Sequence, residues 1–404
     1  MRLNHFGETV RLAVIGLGCR GVSQMRTLLE MPDVDVTAVC DVYEDRTEQG
    51  ARMVEEARGK RPFASTDADA CMNRENVDAV IIMTSWETHI PLCLKALQYG
   101  KRPAMEVGGA ASVEECWRMV QESEKTGIPV MLLENCCYGD KELTLLNMIR
   151  QGVFGTVVHC AGAYAHDLRD EIGMGDVNRH YRQRHFLHRN GELYPTHELG
   201  PIANYLNINR GNRMTALTSM ASRACGLHEW LGTHRADTPL AQAQVNEGDI
   251  VTTMIRCANG ETILLTHDCT LPRFYSRGGV IRGTKGMWME DGHSIFLEDT
   301  NASGNSAHGP ENDQKYLEQY LHPLWRAYRD FGIRGDHEGM DYLVLRAFIE
   351  SVQNQTPPPI DVYDAAAWMS VTVLSEASIA AGSLPMDVPD FTGGRWVDRP
   401  VFDA

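Results

Sequence analysis

The chain has 404 residues, with 38 lysines and arginines against 54 aspartates and glutamates, which gives a formal net charge of −16. Nucleic acids and anionic membrane surfaces are bound by basic protein faces, so this acidic balance argues against both as partners. With 43% hydrophobic and 23% charged residues, the composition is typical of a globular protein. The length suggests about two domains.

Cysteine usage and the N-terminal sequence bear on the compartment. The eleven cysteines are scattered and form no C-x-x-C pair, which favours reduced thiols over a disulfide framework. The opening sequence MRLNHFGETVRLAVIG has neither the apolar core nor the small-residue cleavage site of a secretory signal. No apolar run approaches the roughly 18 residues of a membrane span. We therefore expect a soluble, cytoplasmic protein.

The first 135 residues alternate predicted strands and helices. Five short apolar runs predict strands buried on both faces: VRLAVIGLG, VDVTAVCDV, DAVIIMTS, RPAMEV and PVMLLEN. Helical spacing fills segments between them, two of which end at Gly100 and Gly127, as glycines do at helix C-termini. This alternation predicts an α/β domain over residues 1–135, with a doubly wound parallel sheet of the Rossmann type.

The pattern changes at about residue 136. A predicted helix at 141–151 precedes segments typical of antiparallel strands, namely TVVHCAGAYAH, MTALTSMAS, DIVTTMIRC, ETILLTHDCT and GMWMEDG. We expect a loop-rich insertion near 167–195 and a polar loop over 301–313. Two C-terminal helices, DYLVLRAFIESV and AAAWMSVTVLSEASIAA, are expected to cover one side of the second sheet. Residues 136–404 are thus predicted to form an α+β domain with a large, open, mainly antiparallel sheet.

A glycine-rich turn, GLGCRG at 16–21, follows the first predicted strand and opens the first helix. This is the setting of the dinucleotide-binding fingerprint, in which the glycines permit a tight turn, a close approach of the backbone to the pyrophosphate, and close helix packing. The helix N-terminus offers free N–H groups and roughly half a positive charge to the phosphates. An ordinary glycine turn remains the alternative. The residues assigned to the cofactor here are Gly16, Gly18, Cys19, Arg20 and Gly21.

An acidic residue at the end of the second strand indicates which dinucleotide binds. Asp41 lies 25 residues after Gly16, where a carboxylate can accept hydrogen bonds from a ribose diol. Together with Glu44 and Asp45 it would repel a 2′-phosphate, so NAD is predicted rather than NADP. The alternative for Asp41 is a solvated acid that caps a helix.

Further stretches resemble the Gfo/Idh/MocA oxidoreductase superfamily and, within it, the NAD-dependent glycosidases of glycoside hydrolase family 109. They are TSWETHIP, EVGGA, ENCCYGDKEL, AYAHDLR, RNGELYPTHELGPIANYLNINRG and SRGGVIRGTKG. With the glycine turn they span residues 11 to about 290, and the YPTH-x-LGP and HDLR stretches are the specific ones. Trp86 and His89 could flank the nicotinamide or cap the following helix. We assign both to the cofactor site, together with Glu106.

One absence separates the chain from simple dehydrogenases of this superfamily. The dehydrogenases of the superfamily that this chain resembles carry an E-K-P tripeptide, and its lysine serves in hydride transfer. Residues 106–108 of this chain are EVG instead. Family 109 members likewise have valine at that position. The chain departs from the family's usual ENVNYG, which is ENCCYG here, and at Glu198, where a glycine often follows the histidine. Both departures place altered side chains near the sugar.

The second domain supplies hydrogen-bonding side chains suited to a carbohydrate: Tyr164, His166, Asp167, Arg169, Tyr194, His197 and Tyr275. No motif provides the carboxylate pair of an ordinary glycosidase. The resemblance implies another route, in which NAD⁺ takes a hydride from C3 of the sugar. The C2 proton then becomes acidic, the C1 substituent is eliminated, water adds, and the hydride returns. Net hydrolysis then needs no external oxidant.

We assign roles on this basis. His197 is the expected base for the C3 hydroxyl, because a neutral imidazole of pKa near 6.5 accepts protons readily. Tyr164 is the expected base for the C2 proton, and its phenol would need a nearby cation such as Arg169, Arg273 or the nicotinamide. The alternatives are a buried hydrogen-bonded core for Tyr164 and a satisfied core histidine for His197. The residues assigned to substrate binding are Glu134, His166, Arg169, Tyr194 and Tyr275.

Several histidines crowd into residues 159–197, but none forms an H-E-x-x-H pair, so we predict no metal site. The leading prediction for function is an NAD-dependent glycoside hydrolase, with an N-acetylhexosaminide such as an α-N-acetylgalactosaminide as substrate. The alternatives are an NAD-dependent sugar or glycoside 3-dehydrogenase with net oxidation, and a silent NAD-binding protein. The resemblance also implies a homo-oligomer.

Overall fold

Two β-sheets organise the fold in a computed structural model that describes residue 3 and residues 6–298 and 309–404. The strands of the first sheet are β1 Val10–Ile15, β2 Val34–Cys40, β3 Phe63–Ser65, β4 Ala79–Ile82, β5 Arg102–Met105 and β6 Met131–Leu132. Their order is β3-β2-β1-β4-β5-β6 and every pairing is parallel. The predicted Rossmann-type sheet is confirmed, and the short β3 is an addition to it.

The chain order of this sheet reverses between β1 and β4, which creates the crevice where such sheets bind dinucleotides. The helices of this half are α1 Cys19–Leu29, α2 Glu44–Arg58, α3 Ala68–Met72, α4 Trp86–Gln98 and α5 Val113–Thr126, and α6 Asp140–Arg150 follows in the predicted second domain. Gly127 ends α5 with φ +68°, and the side chain of Ser112 caps its start by accepting a hydrogen bond from the Glu115 N–H at 3.1 Å. The sequence signals for helix ends therefore hold here.

The second sheet contains β7 Val157–Ala165, β8 Met214–Ala221, β9 Ile250–Cys257, β10 Thr262–Asp268, β11 Val280–Gly283, β12 Gly286–Met289, β13 Ser294–Leu297, β14 Glu311–Asn312 and β15 Met386–Asp387. Its order is β14-β13-β12-β11-β7-β10-β9-β8-β15. The pair β7 and β10 is parallel and the other neighbours are antiparallel. The predicted large and mainly antiparallel sheet is confirmed.

The remaining helices include short ones in the insertion and longer ones near the C-terminus. They are α7 Arg169–Gly173, α8 Gly175–Asn178, α9 Arg182–His188, α10 Thr196–Tyr205, α11 Gly226–His234, α12 Gln314–Gln319, α13 Pro323–Phe331, α14 Met340–Asn354 and α15 Val362–Ala380. Helix α10 packs beneath β7, where a Cβ added at Gly162 would lie 2.7 Å from the Cβ of Glu198. In the part of the chain that the structure describes, no helix has the length and apolar character required to cross a bilayer.

The expectation that both C-terminal helices cover the second sheet is wrong for α14. This helix packs on the first domain, where the fully buried Arg346 donates hydrogen bonds of 2.8 Å to both carboxylate oxygens of Asp33. Helix α15 lies between the two domains, because the Ala110 N–H bonds to the Met369 carbonyl at 3.1 Å and Ser378 accepts from the Ser219 N–H at 2.9 Å. The apolar periodicity predicted both helices, but it did not predict which sheet each helix packs against.

The predicted polar loop over 301–313 is only partly described. Residues 301–308 lie outside the described residues. Glu311–Asn312 form β14, which pairs with β13 at the edge of the second sheet.

Candidate active site

The glycine turn has the geometry of a phosphate cradle. Gly16 adopts φ +97°, and a Cβ there would lie 2.4 Å from the Met83 carbonyl oxygen. A Cβ at Gly21 would lie 2.0 Å from the Gly16 carbonyl oxygen, so both positions require glycine. A Cβ at Gly18 would meet only Nη1 of Arg46, at 3.7 Å. Helix α1 begins next, with no acidic residue in its first turn, so its N–H groups can receive a pyrophosphate.

Asp41 joins the end of β2 to this turn. Its carboxylate accepts hydrogen bonds from the backbone N–H of Leu17 at 2.7 Å and of Tyr43 at 3.0 Å. Because it lies at the carboxyl end of β2 beside the crevice, the position suits the ribose contact that the sequence predicts.

Arg20 and Glu106 are predicted cofactor residues that bind each other. The Nε atom of Arg20 donates to Glu106 at 2.8 Å, and its two Nη atoms donate to Asp341 of α14 at 2.6 and 2.8 Å. The guanidinium is thus engaged within the protein, which leaves the backbone of Arg20 at the start of α1 for a phosphate. Glu106 also accepts from Gln24 at 3.1 Å, so its carboxylate is a fixed part of the crevice wall.

Trp86 lies between the crevice and the second domain. Its ring centre is 5.1 Å from that of Tyr181 and 5.6 Å from that of Tyr194. His89 lies beneath the surface, with Nε2 3.0 Å from the Thr84 carbonyl oxygen, and burial lowers its pKa. Trp86 can therefore border the nicotinamide, whereas His89 supports the turn from within.

Four predicted residues of the sugar site meet in one cluster. Nδ1 of His197 lies 2.7 Å from Oε1 of Glu134, and Nε2 lies 3.4 Å from the hydroxyl of Tyr194. The ring of Tyr164 is centred 4.3 Å from the Tyr194 ring and 5.6 Å from the His197 ring. These residues come from the end of the first domain, the start of α10, the loop before it, and β7. We call this group the polar cluster.

The carboxylate of Glu134 fixes the imidazole of His197. Glu134 has no exposed surface, and burial alone would raise its pKa. The charge and hydrogen bond of His197, with the backbone N–H of Cys136 at 3.0 Å, outweigh burial and hold the pKa below its usual value. An ionised Glu134 favours a proton on Nδ1 of His197, which leaves Nε2, 3.4 Å from the Tyr194 hydroxyl, as the acceptor nitrogen.

The cation beside Tyr164 is Arg182, so the expectation of Arg169 or Arg273 is wrong. Nη1 of Arg182 donates to the Tyr164 hydroxyl at 3.3 Å. Arg169 pairs with its neighbour Asp167 at 2.7 Å, and Arg273 pairs with another carboxylate. Burial raises the pKa of Tyr164, and the charge of Arg182 acts against that rise. Sequence reasoning missed Arg182 because it stands in the insertion without a motif.

His166 and Tyr275 extend the cluster toward solvent. The rings of His166 and Tyr164 are centred 6.2 Å apart, and those of His166 and Tyr275 are 5.3 Å apart. Burial lowers the pKa of His166, which favours its neutral form. Tyr275 is 48% exposed and so forms the rim. Of the five predicted substrate residues, Arg169 alone lies outside the cluster and its extension. Its guanidinium pairs with Asp167 instead.

One group of side chains in the described residues has atoms close enough to hold a metal ion. Glu134, Cys136 and His197 each offer an atom within 4.8 Å of the others. Burial raises the pKa of the Cys136 thiol, and Nη1 of Arg277 lies 3.7 Å from its sulfur. A neutral thiol and a neighbouring guanidinium both oppose a bound cation. The group therefore favours the hydrogen-bonded pair described above.

A second group of buried polar side chains lies behind Tyr164. Of its members, the sequence singles out only Glu198. His267 pairs in register with Tyr164, and Nδ1 of His267 lies 3.2 Å from Glu247. Burial raises the pKa of Glu192, and it raises that of Glu198 well above its ordinary value. Neither carboxylate oxygen of Glu198 has a hydrogen-bond partner. Glu198 is therefore a buried acid within α10 whose neutral form is favoured.

Comparison with known proteins places this architecture in a family. The family model "Oxidoreductase family, NAD-binding Rossmann fold" matches residues 10–133, and "Glycosyl hydrolase 109, C-terminal domain" matches residues 138–398. The chain belongs to glycosyl hydrolase family 109. It is 40% identical to a glycosyl hydrolase family 109 protein of Stenotrophomonas maltophilia, over 98% of this chain and 92% of that one. It is 38% identical to an alpha-N-acetylgalactosaminidase of Tannerella forsythia, over 97% and 88%.

Solved structures share the fold of this family 109 protein. A scyllo-inositol dehydrogenase from Lactobacillus casei with bound NAD(H) and scyllo-inositol superposes with a TM-score of 0.66 and 14% identity, over 94% of this chain and 99% of that one. The family match and the intact glycine turn give an NAD-dependent glycoside hydrolase, and the relatives do not favour the 3-dehydrogenase alternative. Its NAD belongs in the crevice between β1 and β4.

Proposed function

We propose that this chain hydrolyses N-acetylhexosaminides, such as α-N-acetylgalactosaminides, through transient oxidation of the sugar at C3. The observation that carries the proposal is the polar cluster, in which the carboxylate of Glu134 contacts Nδ1 of a histidine and two tyrosines lie on its other sides: the Tyr194 hydroxyl is 3.4 Å from Nε2, and the Tyr164 ring is centred 5.6 Å from the imidazole. Val107 stands where related dehydrogenases have a lysine. The name of the Tannerella forsythia relative supports the substrate class.

The first step requires a base at the C3 hydroxyl. The glycine turn at 16–21 and Asp41 would hold NAD⁺, which when bound would supply reversible hydride transfer at C3. Nε2 of His197 accepts the hydroxyl proton as the ketone forms. The carboxylate of Glu134, 2.7 Å from Nδ1, then stabilises the imidazolium, which is the part that a buried acid plays behind a catalytic histidine. Tyr194 orients His197 through its hydroxyl.

The second step requires a base at C2, where the C3 ketone has made the proton acidic. Tyr164 removes this proton, and Arg182 stabilises the phenolate through its contact of 3.3 Å with the hydroxyl. The C1 substituent leaves as an anion and takes a proton from the water whose hydroxyl adds at C1. Tyr164 returns its proton to C2, and His197 returns its proton to the C3 oxygen as the ketone is reduced. His166 and Tyr275 contact sugar hydroxyls at the open side of the cluster.

We extend the proposal to assembly and compartment. The face of the second sheet that points away from α10 exposes Met220, Met254 and Met289, with exposed fractions of 66%, 40% and 40%. Apolar residues on an open sheet are typical of a surface that another subunit covers, which supports a homo-oligomer. Nine of the eleven cysteines are buried thiols that pack as small apolar side chains, which agrees with a reducing cytoplasm.

The test uses aryl N-acetylhexosaminides of both anomers with the NAD-loaded protein. We expect release of the aryl alcohol without accumulation of NADH. In deuterium oxide we expect deuterium at C2 of the released sugar, because the proton on Tyr164 exchanges with solvent. Stoichiometric NADH would instead support a sugar 3-dehydrogenase. Aglycone release with no label at C2 would contradict the proposed proton abstraction.

A further inference from the structure

A segment of the second domain reaches across the cofactor crevice. We call residues 175–188 the strap; it contains α8 and α9. The strap contacts the start of α2 and the start of α4. These two helices follow β2 and β4, whose carboxyl ends border the crevice on either side of β1. The strap therefore spans the edge of the sheet at which a dinucleotide enters and leaves.

One end of the strap binds the start of α2. Arg179 donates to both carboxylate oxygens of Asp45, at 2.9 and 2.7 Å, and its guanidinium lies 4.3 Å from the centre of the Tyr43 ring. Arg46 approaches the same ring at 4.9 Å and donates to the Asn178 carbonyl at 3.1 Å. Tyr43 is thus flanked by two guanidiniums, one from each domain.

Arg46, one arginine of this pair, borders the phosphate cradle. Nη1 of Arg46 lies 3.7 Å from a Cβ added at Gly18. Tyr43 is two residues beyond Asp41 and donates its N–H to that carboxylate. The contacts of the strap therefore begin where the ribose and pyrophosphate are expected.

The other end of the strap binds the start of α4. His185 lies 2.9 Å from Glu87, and Arg184 pairs with the same carboxylate. The Tyr181 ring packs edge-on against Trp86, with centres 5.1 Å apart. Both helices that flank the crevice are thereby tied to one segment of the second domain.

The backbone of the strap is held in an uncommon conformation. Arg179 has φ 54°, a left-handed value that side chains other than glycine rarely adopt. Such conformations persist where surrounding contacts hold them, and here Asp45 and Tyr43 provide those contacts. In this conformation the guanidinium of Arg179 reaches the carboxylate of Asp45 at the start of α2.

We propose that the strap is the second-domain part of the NAD site and retains the dinucleotide. The contacts of Arg179 with Asp45 and Tyr43, and of Arg46 with Asn178, must open before NAD leaves. The inference rests on the NAD site and not on the glycosidase chemistry. A cofactor that ends each proposed cycle in its starting state has no need to exchange, so slow release suits the proposed function.

The experiment measures release of the cofactor rather than activity. The protein is loaded with NADH, mixed with a large excess of NAD⁺, and followed by the loss of bound-NADH fluorescence. We expect Arg179→Ala to release NADH about three- to tenfold faster than wild type. The pair is largely exposed, with side-chain exposures of 37% and 65%, so one ion pair and one cation–π contact support no larger effect. Arg179→Lys, which keeps the charge without the fork, should be intermediate.

Arg52→Ala is the matched control. Arg52 pairs with Glu48 at 2.8 Å on the same helix α2, and that pair does not reach the strap. Arg52→Ala should release NADH at the same rate as wild type. The double variant Arg179→Ala with Asp45→Ala should release no faster than Arg179→Ala alone, because the two act through one contact. Equal rates for wild type, Arg179→Ala and Arg52→Ala would overturn the proposal, as would fully additive effects. Loss of glycosidase activity in other tests would leave this measurement unaffected.

Discussion

Glu134 illustrates how one buried carboxylate can set the chemistry of its neighbour. Its pKa is held below the ordinary value although it has no exposed surface, because His197 and the Cys136 N–H bind its charged form. A group of this kind contributes stability above its unfolded-state pKa, and that contribution is lost as the pH falls through the folded-state value. The pair should therefore remain intact throughout the neutral range.

We expect Glu134→Gln to lower kcat on an aryl glycoside by about 10²-fold or more, in line with the share of general acid–base catalysis. The amide keeps a hydrogen bond but cannot stabilise the imidazolium of His197. Binding of NAD should stay within about twofold of wild type, since Glu134 lies outside the glycine turn. Unchanged kcat would contradict the role given to the pair, and fluorescence titration with NADH controls for cofactor loss.

Glu198 gives the opposite case, a buried acid that is neutral when folded. Its pKa is raised well above the ordinary value by burial. The folded state thus favours the proton while the unfolded state releases it near pH 4.5, so stability is complete below that pH and falls as the pH rises toward the folded pKa. Glu198→Gln should increase the free energy of unfolding at pH 7.5, because the amide has no proton for the unfolded state to release.

The gain from Glu198→Gln should disappear at pH 4, where both forms of the wild type are protonated. Chemical denaturation at the two pH values measures it. Glu56→Gln, a change at an exposed acid of α2, should alter stability little at either pH. An equal gain for Glu198→Gln at both pH values would show that packing, not ionisation, is responsible.

At the scale of elements, the insertion at 167–195 separates what the sequence could predict from what it could not. Runs such as VRLAVIGLG and ETILLTHDCT predict strands because the pattern of apolar residues within each run is sufficient for the prediction. Arg182 meets Tyr164 only through the fold of α9, and no spacing in the sequence encodes that contact. Likewise, the apolar pattern of α14 does not reveal that Arg346 will find Asp33 in the other domain.

Helix α9 should affect the C2 step through Arg182. We expect Arg182→Lys to slow deuterium incorporation at C2 by about tenfold, because lysine keeps the positive charge but not the planar guanidinium. Arg182→Gln should slow it by about 10²-fold, because the phenolate of Tyr164 then has no positive charge beside it. The limb of the pH–rate profile on which the rate rises with pH should move to higher pH in Arg182→Gln, because the pKa of Tyr164 rises when the charge of Arg182 is lost. Equal exchange rates in both variants and wild type would rule out Arg182 as the stabilising cation.

At the scale of the whole molecule, the outward face of the second sheet predicts assembly. We expect Met254→Lys combined with Met220→Lys to shift the protein toward monomers, because two charges would be buried in the proposed subunit contact. Sedimentation velocity measures the change. Val401→Lys, at another exposed apolar residue, should leave the oligomer intact. A wild-type protein that sediments as a monomer would contradict the homo-oligomer directly.

The overall architecture was predictable because both sheets follow from local patterns, while the domain limits at 135 and 136 remain a prediction. The sites between domains were less accessible to sequence reasoning, since they depend on long-range contacts. The polar cluster combines Glu134 from one side with His197 and Tyr164 from the other. Family motifs identified those three residues, but the strap and Arg182 required the fold.

The ion pair of Arg346 with Asp33 has a consequence for chimaeras. Helix α14 comes late in the chain but carries a fully buried guanidinium that neutralises an acid of the N-terminal half. A hybrid that takes its first 135 residues from a relative without an acid at the place of Asp33 would leave the buried guanidinium of Arg346 without its carboxylate partner. A workable crossover must transplant residues 340–354 along with the nucleotide-binding half.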